Sequence, residues 1–185
     1  MKKITVTMLI LLVLVAGTVF YSLSQENIEN IIVCSANNET SIIPSSICAA
    51  YLVNFRGNKD DIVYLQQGSG LCFIAAIEDK ARRNDLFTFF LAKGMDINDH
   101  SAIDGLTPLH TAILLNDYAF TRFLLQRGAN PDVTDRDRHL NAVQFLTLLQ
   151  EQDPGTNRNN IAELFAKKIT SRKQRRTVDS MQKER

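Results

Sequence analysis

The sequence predicts an all-α chain: about four helix pairs stacked as an α-solenoid, preceded by an N-terminal signal or anchor helix and followed by a basic C-terminal tail. Three observations carry that prediction. An apolar run opens the chain, a two-helix pattern recurs through its middle, and the balance of charge changes sign near residue 167. The 185 residues are 45% hydrophobic, which suits one globular domain once a leader is set aside. Collagen, coiled coil, wholesale disorder and a multi-span membrane protein are excluded by the same composition.

Lys2 and Lys3 precede the apolar stretch Ile4 to Leu23, in which nine consecutive residues, Met8 to Ala16, have no polar side chain. A short basic end followed by such a core is how an export signal is built. Ser22 and Ser24 are small residues placed for cleavage before Gln25, so residues 1–24 are read as a signal peptide. The stretch is 20 residues long, and about 20 suffice to cross a bilayer as a helix. An uncleaved membrane anchor is therefore the alternative. With the lysines retained inside, either reading leaves the rest of the chain outside the cytoplasm. The short basic start has a bacterial look, which makes the periplasm the expected compartment. Residues 25–45 are read as a linker.

A formal charge of +1 conceals a partition. Gln25 to Ala166 holds 11 Lys+Arg and 18 Asp+Glu, or −7, whereas Lys167 to Arg185 holds 8 and 2, or +6. An acidic body thus carries a basic tail, taken as residues 169–185. For that tail a solvated, frayed end is the plain reading, and export argues against nucleic acid. Export also permits disulfides. Cys34 and Cys48 bracket a loop-like stretch and are a possible bridge. Cys72 sits in the apolar run LCFIAAI and reads as a small buried hydrophobe.

The repeat is clearest from Asp104 to Asp135, DGLTPLHTAILLNDYAFTRFLLQRGANPDVTD. Thr107 and Pro108 start a helix, because the hydroxyl can cap free N–H groups and proline at the first helical position loses no hydrogen bond. Leu109, Ala112 and Ile113 follow at helical spacing, Asn116-Asp117 breaks the run, and a second helix passes through Phe120, Phe123 and Leu124. Gly128 closes it in the left-handed conformation that glycine adopts most easily. TPLHTA followed by FLLQRGANPD resembles an ankyrin repeat, a motif that fixes residue types over about 30 positions.

Upstream, LCFIAAIEDKARRNDLFTFFLAKGMDIN resembles the same unit with two extra residues between its helices, and Ile47 to Gly68 resembles a worn first repeat broken at Gly57-Asn58. Downstream, residues 137–168 keep the pattern, with Arg138 in place of the expected glycine and Leu140-Asn141-Ala142-Val143 in place of Thr-Pro-Leu-His. The repeat domain is therefore drawn over 46–168, as 46–68, 69–101, 102–135 and 136–168. Four pairs suffice for a core, since about three are needed.

No constellation points to catalysis, a cofactor or a metal. His110 holds the histidine position of the TPLH motif, where the resemblance implies structural hydrogen bonds within the set Thr107, Pro108, Leu109, His110 and Gly128. His100 and His139 have no Cys or carboxylate partner at metal-ligand spacing. Gly68-Ser69-Gly70 lacks the Gly-Lys-Ser/Thr of a phosphate loop. An enzyme is not expected.

The resemblance implies a protein-binding module whose turn fingers and first helices meet a partner. The fingers are Gly94 to Gly105, offering Met95, Ile97, His100 and Ile103, and Gly128 to Arg138, offering Asn130, Asp132, Asp135, Arg136, Asp137 and Arg138. The acidic body favours a basic contact surface on that partner. A small exported chain of this kind also resembles immunity proteins that neutralise type VI secreted effectors, lipases among them, so the expected partner is a secreted effector toxin. An envelope scaffold or stress-protective adaptor is the alternative. No nucleic acid is expected, and the membrane enters only through an uncleaved N-terminal segment.

Overall fold

The computed structural model describes residues 2–36 and 42–167. The basic tail, 169–185, lies outside the described residues. Within them the chain is all-α: α1 (Lys2–Gln25), α2 (Ile28–Ala36), α3 (Ser45–Phe55), α4 (Lys59–Gln67), α5 (Leu71–Ala75), α6 (Lys80–Ala92), α7 (Pro108–Leu114), α8 (Tyr118–Gln126) and α9 (Ala142–Gln152), followed by helical backbone over 159–167. They cluster into two units, one built on Met1–Gln67 and Ile77–Met95, the other on Gly68–Ala76 and Asp96–Arg185.

In the first unit, residues 25–45 are not the linker expected from the sequence. Asn27 accepts a hydrogen bond from the Asn30 N–H at 2.8 Å and so caps α2. Ile28, Ile31 and Ile32 then fall on one face and are buried. That stripe packs α2 against α3, α4 and α6, and burying three isoleucines stabilises the folded segment by several kcal/mol, at about 2 kcal/mol each. Cys34 and Cys48 are joined in a disulfide, their Cα atoms 5.8 Å apart, which ties α2 to α3.

Asp60 and Asp61 open α4, where negative charge meets the positive end of the helix dipole. Asn58 Oδ1 accepts from the Asp61 N–H at 3.0 Å, while the buried Asp61 carboxylate accepts from Gly57 N at 2.8 Å and from Arg56 Nη2 at 2.6 Å. Burial alone raises the Asp61 pKa, but Arg56 and the Gly57 and Asn58 N–H groups outweigh it and hold the carboxyl below its usual range. The chain turns there on Gly57, at φ +74°, and a Cβ on it would stand 2.8 Å from a ring carbon of Phe89. Only glycine fits both constraints.

In the second unit, α7 starts as its sequence dictates: the Thr107 side chain accepts from the His110 N–H and Pro108 occupies the first turn. Asp117 caps α8 by accepting from Phe120 N at 2.9 Å. The Gly128 turn, φ +99°, returns the Ala129 N–H to Leu124 O at 3.0 Å. Leu109, Ala112, Ile113, Phe120 and Leu124 form the buried seam, and α7 packs against α5, α8 and α9. First helices of successive repeats therefore stack in this unit.

Two registers differ from the sequence expectation. The N-cap of α9 is Asn141, in a capping box with Gln144, so Asn141 stands where Thr107 stands, and His139 (φ +56°) matches Gly105 (φ +66°). The fourth repeat is thus shifted by one residue from the pairing that put Arg138 on the glycine. An asparagine caps better than a leucine, and the cap sets the register. The extra residues of the second repeat do not lengthen its loop much; Asp79 caps early and α6 runs 13 residues against nine in α8.

Candidate functional site

Two turns of the second unit, 96–105 and 130–140, lie side by side and are joined at three points. Asn98 Oδ1 accepts from the Asn130 N–H at 2.7 Å, a ring nitrogen of His100 meets Thr134 O at 2.8 Å, and Arg136 N donates to Gly105 O at 3.0 Å. Each turn also closes on itself in the same way. Ser101 N donates to Leu106 O at 2.9 Å and Asp135 N to Leu140 O at 3.0 Å. The Ser101 hydroxyl accepts from Ile103 N and Asp104 N, as the Asp135 carboxylate accepts from Arg138 N and Leu140 N. Backbone polar groups that would otherwise face water are thereby satisfied within the pair, which holds the tips in fixed positions.

His110 ties the second of these turns to the start of α7. Its Nε2 faces Leu140 O at 3.0 Å and its Nδ1 faces the Thr107 hydroxyl at 2.7 Å. A carbonyl only accepts, so Nε2 carries the proton, and in the neutral ring Nδ1 then accepts from the Thr107 hydroxyl. Burial lowers the His110 pKa below 6.5, since the imidazolium would lose its water. Burial acts on Asp135 in the opposite sense, but the Leu140 and Arg138 N–H groups, with His110 and Arg138 nearby, bring its pKa below 3.8.

The residues nominated from the sequence fall into three groups. Ile103, Asn130, Asp132, Arg136, Asp137 and Arg138 are exposed, Ile103 to 73%. Ile97 and His100 are half-buried. Met95, at 5%, and Asp135, at 0%, are inside and cannot meet a partner. For those two the expectation is corrected: Met95 follows the Gly94 turn into the core of its unit, and Asp135 spends both carboxylate oxygens on the turn that contains it. Sequence reading missed Ser101, Asn98 and the Asn98–Asn130 link. The signal was available for Ser101, because it stands one repeat before Asp135.

The exposed tips are chemically mixed. Ile103 is the large apolar side chain, Asp104, Asp132 and Asp137 are exposed acids, and Arg136 and Arg138 are exposed bases. Arg138 reaches Asp135 only at 3.7 Å and is itself half exposed. Among the described residues no group of three or more His, Cys, Asp or Glu is placed to hold a metal ion. The buried Cys72 donates to Leu106 O at 3.3 Å, and burial pushes its pKa up to about 12, so it is a thiol at neutral pH.

Residues 104–136 match the ankyrin repeat family model. Over 62 residues, 31% of the chain, the sequence is 42% identical to a protein of Rickettsia bellii (strain RML369-C) named "Putative ankyrin repeat protein". The chain covers 17% of that protein's length. No solved structure gives a significant match. The family match spans the Thr107 cap, the Gly128 turn and most of the second finger, which are the elements that the geometry above distinguishes.

Proposed function

We propose that this chain, an ankyrin-repeat protein, binds another protein through the paired turns 96–105 and 130–140, and that it does so as a periplasmic immunity protein. Its partner in this reading is a type VI secreted effector toxin, lipase-like, whose active or membrane-binding surface it occludes. One observation carries the binding role: a large apolar side chain, Ile103, stands 73% exposed among charged tips on a turn pair fixed by hydrogen bonds. An apolar anchor ringed by polar groups on a preorganised frame is how binding energy is concentrated. The acidic balance of residues 25–166 supports a basic contact surface on the partner.

Compartment and partner rest on the leader and on resemblance. The apolar helix Thr5–Gln25 is long enough to cross a membrane, which a signal or an anchor requires. The family is a protein-interaction module, and no catalytic role is proposed.

Capture of partners from periplasm onto the tagged chain tests the reading. A single stoichiometric toxin is expected. Replacing Ile103 with Asp should weaken that complex by about 2 kcal/mol, roughly 30-fold, measured by titration calorimetry, and Asp137→Lys should slow association most at low salt. Unchanged affinity in both variants sinks the site. Deletion that leaves cells as resistant to sister-cell attack as before sinks the immunity role.

A second reading, an envelope scaffold or stress-protective adaptor held at the inner membrane, is favoured by Leu23. It is 3% exposed in the core of the first unit, although cleavage before Gln25 would remove it. Recovery of several housekeeping envelope enzymes in the same capture supports this reading over the first.

A further inference from the structure

The first unit joins the membrane-length helix to a second uncharged helix. Residues 40–55 contain no charged side chain, and α3 lies within them. Phe20 of α1 contacts Tyr51 and Phe55 of α3 at 5.4 and 5.3 Å. That cluster helps to line an apolar cleft of about 420 Å³ between the two helices, which reaches Leu12 on α1 and Ile47 on α3. Leu12 lies 13 residues before Gln25, about 20 Å along a helix. If α1 crosses a bilayer whose hydrocarbon is about 30 Å thick, that position is deep inside it.

Away from the side that α2 covers, α3 also exposes apolar residues. Cys48, Tyr51 and Leu52 are buried, while Ile47, Val53 and Phe55 are 43%, 58% and 58% exposed, with Ile42 fully so just before the helix. Asn54, the polar residue lining the cleft, donates its amide to Ala50 O at 2.7 Å, and Thr18 of α1 donates to Val15 O at 2.8 Å. Polar side chains satisfied by their own helix are what a hydrocarbon setting demands. Charge begins at Arg56, which donates to Glu26 O at 2.9 Å and so sets the end of α3 level with the end of α1.

We propose that α1 is retained and that acyl chains of the non-cytoplasmic leaflet fill the cleft between it and α3. This claim is independent of the toxin-binding reading, which is tested at Ile103 in the other unit.

The chain has no tryptophan, so one introduced residue is a clean reporter. Full-length Val53→Trp is placed in phosphatidylethanolamine–phosphatidylglycerol vesicles whose acyl chains are brominated, with Tyr118→Trp, on α8 of the second unit, as the comparison. Quenching of Val53→Trp by about twofold, with little for Tyr118→Trp, is expected for a residue at the acyl boundary. Ile47→Trp, near the other end of the helix, repeats the measurement should one variant fold poorly by circular dichroism. Equal exposure of the α3 and α8 reporters to acrylamide, without bromine quenching, overturns the proposal. So does an α3 reporter shielded from acrylamide yet unquenched in a chain that sediments as a dimer, because a second copy then covers the face. A chain recovered from cells with Gln25 at its N-terminus also overturns it.

Discussion

His110 and Asp135 show how a buried ionisable residue reports on the turns it holds. The folded pKa of His110 is below 6.5. Above that pH both states are neutral and its contribution is fully present; as pH falls below 6.5 the unfolded chain takes up a proton that the folded one resists, and stability declines. Asp135 adds a second loss at lower pH, starting below 3.8, where its unfolded carboxylate protonates first. Urea unfolding from pH 8 to 5 should therefore show decreasing stability, and His110→Gln should flatten that slope. At pH 8 the same variant should cost about 1–3 kcal/mol, since Thr107 and Leu140 lose a partner of fixed geometry. A slope unchanged in the variant means that His110 titrates as in water. The histidine was legible because the TPLH pattern places it next to its own cap. The burial of Asp135 was not, because Asp135 looks like any turn acid until the Arg138 and Leu140 N–H groups are seen to converge on it.

At the scale of elements, caps rather than hydrophobic spacing set the boundaries. Thr107, Asp117 and Asn141 each accept from the first turn of the helix that follows. Asn141→Ala is expected to cost about 0.5–2 kcal/mol and to fray α9, read as faster amide exchange there; no loss would mean that another residue starts the helix. Leu140 marks the limit of pattern matching. In the sequence pattern it takes the place of Thr107, one residue before the cap that forms. A cap tolerates no slip, as its side-chain oxygen must reach specific N–H groups. In α2, the Asn27 cap and the Ile28, Ile31, Ile32 stripe are local signals, but a helix of nine residues is marginal without packing. Its partners α3, α4 and α6 supply that packing.

For the whole molecule, each unit carries its own stabilising device. The second relies on stacked first helices and the joined turns. The first adds the Cys34–Cys48 bridge, whose sequence separation is 14; closing a loop of about that length removes roughly 3 kcal/mol of unfolded-state entropy. Cys34→Ser with Cys48→Ser should lower the urea midpoint of the first unit, and reductant should do the same to the unaltered chain. Indifference to both would place the stability of α2 and α3 elsewhere. The bridge forms only where thiols can oxidise, which accords with the exported compartment proposed for the chain.

The sequence by itself determined the local events: where Thr107-Pro108 and Asp117 start helices, where Gly128 ends one, how far the apolar N-terminal run extends, and how charge divides along the chain. These depend on residues within a turn of each other, so their physics is written in consecutive letters. Only the tertiary structure decided that Met95 and Asp135 are inside while Ile103 is outside, that 28–36 is a helix, and that Leu23 belongs to a core. Those outcomes depend on which surfaces meet across long stretches of chain, and burial is a property of the meeting rather than of either residue.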